Sequence, residues 1–171
     1  MSKGFRLFLI LSVLLIVLDQ VVKAMARSAA QGVEGRTLFA LWPNVFELKL
    51  VFNEGVAFGM MQGAGVYLTP VAVGIAALAG WYSLKHGKDQ TGVHVTCALL
   101  AAGSIGNLYD RLAHGKVTDM FWIRAINFPV FNVADVCITV AGTLFILGAI
   151  RDSASKPPKS PIDATATEGP A

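Results

Sequence analysis

The chain of 171 residues predicts a membrane protein, mainly α-helical: four transmembrane helices with a small extracytoplasmic β-sheet and an interfacial loop. Composition is the first ground. Hydrophobic residues make up 54% and charged residues only 15%, whereas a soluble domain carries about a quarter charged residues. Charge placement is the second, because the charged residues divide the chain into four apolar runs of roughly the 20 residues a span needs. The third is a single segment, 46–52, that alternates apolar and other residues with a period of two, as a one-sided strand does.

The first run covers 7–18 and continues to Val22 before Lys23. Lys3, Arg6 and Ala24-Met25-Ala26 imitate a cleavable secretory signal. However, Asp19 and Lys23 lie just before the supposed cut, where such signals are uncharged, so the segment is expected to be retained. The second span falls within 66–84, the third within 90–109, and the fourth over 136–150 extended back to Asn132. Lys3 and Arg6, Lys85 and Lys88, and Arg151, Lys156 and Lys159 mark the segments expected on the cytoplasmic side, since cytoplasmic loops carry the denser Lys and Arg. Both termini are then cytoplasmic. Residues 1–152 are expected to form one domain, and 153–171, rich in Pro, Ser, Ala and Thr, a disordered tail.

The first outer segment, 27–65, contains the alternating strand, with Phe46, Leu48, Leu50 and Phe52 against Glu47, Lys49 and Val51. One strand is not stable alone, so partners are expected from 36–41 or 53–59. Asn53, Gly55 and Gly59 mark a tight turn after it. That turn either ends the strand or presents Asn53 to an extended peptide backbone, and spacing does not separate the two. The second outer segment, 111–131, is the interfacial loop, with Phe121 and Trp122 suited to the headgroup level.

Two aspartates stand out in this apolar setting, Asp119 and Asp135. An ionisable group in or beside hydrocarbon is costly and therefore a functional candidate. Asn132 and Asp135 also obey helix-capping arithmetic, with Asn132 as N-cap and Asp135 in the first turn, so Asp135 has a purely structural role open to it. Asp119 has no such pattern. Two adjacent carboxylates cannot both ionise. The ionised one takes a proton from water, the water attacks a carbonyl, and the protonated one donates to the carbonyl oxygen. The dipole of the fourth helix favours charge on Asp135 and the proton on Asp119.

Other chemistries fit less well. Ser104 in Gly103-Ser104-Ile105-Gly106 has the wrong glycine register for a nucleophile elbow. His86, His94 and His114 lack metal-ligand spacing, so neither metal nor cofactor is expected. Gly103 and Gly106 suit close helix packing. Cys97 and Cys137 are expected as small buried hydrophobes. The net charge of +3 belongs to loops flanking spans, so no nucleic-acid partner is expected. Asp19 and Lys23, at i and i+4, are expected to pair locally with Lys23 snorkelling outward, and Asn107, Asp110 and Arg111 to brace the segment carrying Asp119. The alternative is a small proton-coupled transporter or channel subunit. It would need polar groups near the bilayer midplane, but the acidic residues lie at span ends.

Five motifs in order resemble bacterial lipoprotein signal peptidase, signal peptidase II: Asp19-Gln20 with Lys23; Asn53-x-Gly55-x-Ala57-Phe58; Gly103 to Arg111; Val117-x-Asp119; and Phe131-Asn132-x-Ala134-Asp135. The resemblance runs from the first helix to the end of the fourth. Ala102, Met120 and Phe128 depart from the usual pattern by apolar or small exchanges outside the pair. The resemblance implies an aspartic endopeptidase of the bacterial cytoplasmic (inner) membrane, with its site at the outer face. Such an enzyme removes signal peptides from diacylglyceryl-modified prolipoproteins by cutting before the lipidated cysteine. It implies Asp119 and Asp135 as the catalytic pair. Asp19, Lys23, Asn53, Gly55, Asn107, Arg111 and Asn132 are implied as substrate-binding or supporting residues. Partners are then the diacylated prolipoprotein and membrane lipids, and a monomer is expected.

Overall fold

The computed structural model describes residues 1–55, 65–86 and 90–155, with backbone only at 65–67 and 155. In chain order it has α1 (Lys3–Ala29), β1 (Thr37–Trp42), β2 (Phe46–Asn53), α2 (Gly65–Lys85), α3 (Thr91–His114), β3 (Val117–Ile123), a 3-10 turn (Arg124–Ile126) and α4 (Val133–Ser155). The helices α1, α3 and α4 are each long and apolar enough to cross a membrane. Their exposed faces are apolar, with Ile10, Val13, Leu14, Val17 and Val21 on α1 and Phe145, Ile146 and Leu147 on α4. Outward apolar stripes of this size suit hydrocarbon as solvent. The 21-residue α2 occupies the place of the second expected span.

Helix α3 is central, packing against α1, α2 and α4. Small residues permit this. Ala98, Ala101, Ala102, Gly103 and Gly106 are all buried on it. A Cβ on Gly103 would sit 2.5 Å from the Ala134 carbonyl oxygen, and one on Gly106 would sit 2.6 Å from Asp19 Oδ2. The expected role of both glycines in close packing is therefore met. Near the other end of α3, a Cβ on Gly4 would overlap the buried His94 ring, whose Nδ1 lies 2.8 Å from Ser83 Oγ. Cys97 and Cys137 are free and buried, as expected.

The sheet has the order β1-β2-β3, antiparallel throughout. It rests on the end of α1 through a cluster of Ala26, Ala30, Leu50 and Met120. Two expectations are corrected here. The segment expected as an interfacial loop contains β3, paired with β2 so that Asp119 faces Val51. The first four residues of β3, Val117–Met120, are all buried, so no alternation betrays the strand. Second, the alternation of β2 is broken by a register shift between Leu48 and Val51, which buries Glu47 and Leu50 together. A bulge inserts an extra residue and offsets the faces on either side of it. Helix α4 runs to Ser155. The expected partner 36–41 is realised as β1, while 56–59 and the tail from 156 lie outside the described residues.

Candidate active site

Asp135 arrives through helix capping. Asn132 Oδ1 accepts from the Asp135 amide at 2.9 Å, and Asp135 Oδ2 accepts from the Asn132 amide at 3.1 Å. This reciprocal box satisfies two backbone donors at the start of α4. The structural role open to Asp135 in the sequence is thus real, and it consumes only one carboxylate oxygen. The other, Oδ1, accepts from Asn107 Nδ2 at 2.8 Å.

Asp119 arrives on β3, 2% exposed. Its Oδ1 accepts from Asn132 Nδ2 at 2.6 Å and its Oδ2 from Asn53 Nδ2 at 3.4 Å. Asn132 Nδ2 also donates to Asn107 Oδ1 at 3.0 Å. Two asparagines therefore join the two aspartates in one chain of bonds. Burial, and then the charge of Asp135, push the Asp119 carboxyl up from 3.8 to about 7, against the opposing bonds from Asn132 and Asn53. Both aspartates line one cavity of about 490 Å³, together with Asn53, Asn107 and Arg111. Leu68, Val71 and Ile75 of α2, Val136 and Ile138 of α4, and Phe128 and Phe131 form its apolar walls. A mostly apolar cleft with a few convergent polar groups is the usual form of a binding site.

A buried charge cluster stands behind the pair. Lys23 Nζ lies 2.9 Å from Asp19 Oδ2 and 3.4 Å from Asp110 Oδ2, and it donates to Asn107 Oδ1 at 2.9 Å. The pairing of Asp19 with Lys23 is as expected, but the outward snorkel is not. Lys23 is fully buried and points inward, because Asp19, Asp110 and Asn107 together replace its water shell. Asp19 Oδ1 accepts from the Ala134 amide at 2.9 Å, which ties α1 to the start of α4. Asp110 Oδ2 accepts from the Thr118 amide at 2.8 Å, bracing the strand residue before Asp119 as expected. Arg111 donates to the Gly55 carbonyl at 3.1 Å and to the Asn107 carbonyl at 3.4 Å. Asn53 Oδ1 accepts from the Gly55 amide at 3.0 Å, so this turn both ends β2 and faces the site.

All nine site residues drawn from the sequence thus fall in one connected group. Arg27 and Thr118 belong to it as well and were not anticipated. Arg27 Nη1 donates to Thr118 Oγ1 at 2.8 Å and lies 3.6 Å from Asp110 Oδ1. Extending the i, i+4 ladder from Asp19 through Lys23 would have reached Arg27.

A family model described as Signal peptidase (SPase) II matches residues 11–151. The lipoprotein signal peptidase of Gloeothece citriformis is 38% identical over 165 residues, covering 94% of this chain and 95% of that one. That of Gloeobacter violaceus is 34% identical over 150 residues, covering 88% and 85%. A bacterial membrane enzyme solved by the in meso method at 2.3 Å shares the fold with a TM-score of 0.79 at 26% identity, covering 90% of this chain and 93% of that one. The chain belongs to the signal peptidase II family.

Proposed function

We propose that this chain is an aspartic endopeptidase that removes signal peptides from diacylglyceryl-modified prolipoproteins, cutting before the lipidated cysteine, with Asp119 and Asp135 as its catalytic pair. One observation carries the assignment of the pair: two carboxylates from different elements line the same largely apolar cavity and are joined through Asn132 and Asn107. Asp135, whose oxygens both accept N–H bonds at the positive end of α4, is the ionised member. Asp119, raised to about 7, holds the proton. Asp135 takes a proton from a water held between the two groups, and that water attacks the scissile carbonyl. Asp119 donates to the carbonyl oxygen, and a proton then passes to the leaving amine. Asn53, Asn107, Arg111 and Asn132 hold these groups in place, and Asp19 and Lys23 support them from behind.

The chain crosses the bacterial cytoplasmic membrane four times as a single domain of residues 1–152, with α2 as the second span. Both termini are cytoplasmic and the site lies at the outer face. The enzyme acts as a monomer in contact with membrane lipids. The apolar walls receive the lipid and the apolar part of the signal peptide. A transporter role has no support of this kind, because among the described residues the buried acids gather near the sheet and trace no path along the helices.

The test uses purified full-length protein, a diacylated prolipoprotein and an unlipidated control. Wild type cleaves only the lipidated substrate. Asp119→Asn and Asp135→Asn each leave it intact while retaining the wild-type fold. Cleavage by both variants at the wild-type rate would remove the pair from the mechanism.

A further inference from the structure

Four hydroxyl side chains are buried among the described residues: Ser12, Ser83, Ser104 and Thr118. Three have partners. Ser12 donates to the Ala98 carbonyl, Ser83 bonds to His94, and Thr118 accepts from Arg27. Ser104, 4% exposed, has none among the described residues. Helical hydroxyls commonly bond back to the carbonyl four residues earlier, and Thr96 and Thr143 do so here at 2.9 Å. Ser104 does not. Its hydroxyl is therefore left to bond whatever occupies the cavity beside it.

Ser104 lines the cavity that holds the two aspartates. It precedes Asn107 by three residues on α3, so it lies about 4.5 Å along the helix from the asparagine that holds Asp135, on the same face. Among its cavity neighbours on α4, Val136 and Ile138 are apolar, and the other hydroxyl, Thr139, is exposed. A polar group on a substrate seated against α3 would find this hydroxyl as the buried donor that no protein group already engages. A peptide cut at the aspartates carries its diacylglyceryl group a short thioether arm away, and the ester carbonyls are the acceptors in that otherwise apolar group.

On the catalytic reading above, we infer that Ser104 forms a specificity subsite whose hydroxyl donates to an ester carbonyl of the substrate's diacylglyceryl group. The subsite lets the enzyme distinguish an ester-linked lipid from an ether-linked lipid of the same length. Ser104 takes no part in bond cleavage.

The experiment compares two synthetic prolipoprotein peptides that differ only in the glyceryl linkage, diester or diether, on full-length wild type and on Ser104→Ala. Wild type should cleave the diester about three- to tenfold more efficiently in kcat/KM, the worth of one neutral hydrogen bond. Ser104→Ala should lose most of that preference while cleaving the diether at the wild-type rate. The ratio is taken within each variant, so lower yield or stability cancels. Equal rates on both lipids by wild type would overturn the inference. So would a Ser104→Ala variant that slows both substrates equally, which would place the hydroxyl on the peptide. Asp135→Asn runs alongside: if it abolishes cleavage while the lipid preference is absent, the subsite fails and the catalytic pair stands.

Discussion

Replacing Lys23 with methionine tests whether the buried charge cluster governs the site. Methionine keeps most of the side chain's length and removes its charge. Lys23 is fully buried, 2.9 Å from Asp19 and 3.4 Å from Asp110, and it donates to Asn107 Oδ1 at 2.9 Å. Its loss leaves two carboxylates without their shared cation. Asp110 keeps Arg27 at 3.6 Å and the Thr118 amide, and Asp19 keeps the Ala134 amide and Gln20. Breaking a buried pair on one side costs about 3–5 kcal/mol. Remaining partners soften that cost, so the lower end of the range is expected. Asn107 Oδ1 keeps only its bond from Asn132 Nδ2, so the amide that holds Asp135 through Nδ2 is less firmly fixed, and kcat should fall at least tenfold. Adding Asp19→Asn should restore part of the stability, because it removes one stranded charge, without restoring kcat. Thermal unfolding and turnover in the same detergent and lipid read both effects. A Lys23→Met variant with wild-type unfolding temperature and turnover would mean that the charge cluster does not govern the site.

Other outcomes follow from the same geometry. Asp119, with its carboxyl raised from 3.8 to about 7, binds a proton in the folded state that the unfolded chain has already released. The contribution of Asp119 to stability should therefore be greatest below pH 4, fall as pH rises from about 4 to 7, and level off above that. Its steepest slope is about 1.4 kcal/mol per pH unit. Asp119→Asn should flatten this part of the profile in pH-dependent unfolding. For turnover, the limb above about pH 7 should decline as the donor proton is lost. Gly106→Ala should destabilise by about 1–3 kcal/mol, since its Cβ would meet Asp19 Oδ2 at 2.6 Å. Gly142→Ala, with nothing within 4 Å, should be neutral or slightly stabilising in the same assay. Asn132→Ala removes the cap of α4 and the bond to Asp119 together. It should cost about 0.5–2 kcal/mol of stability and nearly all activity, whereas a structural cap alone would leave activity in proportion to folded protein.

Much of this molecule is legible along the chain. Charge-free runs of hydrocarbon length announce α1, α3 and α4 because each residue reports locally whether lipid or water surrounds it. The Asn132–Asp135 cap is a spacing rule that needs no partner in space. Gly103 and Gly106 signal close packing because a side chain would obstruct it. The two aspartates are conspicuous because burial makes charge expensive.

What the linear order could not decide depends on contacts between distant segments. Strand β3 is buried along Val117–Met120 and has no period to reveal it, so only its pairing with β2 makes it a strand. Lys23 looks like a residue bound for water, and it turns inward because Asp110 and Asn107 come from a helix more than 80 positions later. Ser104 looks like one more small residue on a packing face until its missing partner is seen against the cavity. Local propensity and hydropathy are sums over neighbours in the chain, and they identified the spans and the two acids. Hydrogen bonding and charge compensation are properties of neighbours in space, so the fold alone joined those acids into one site.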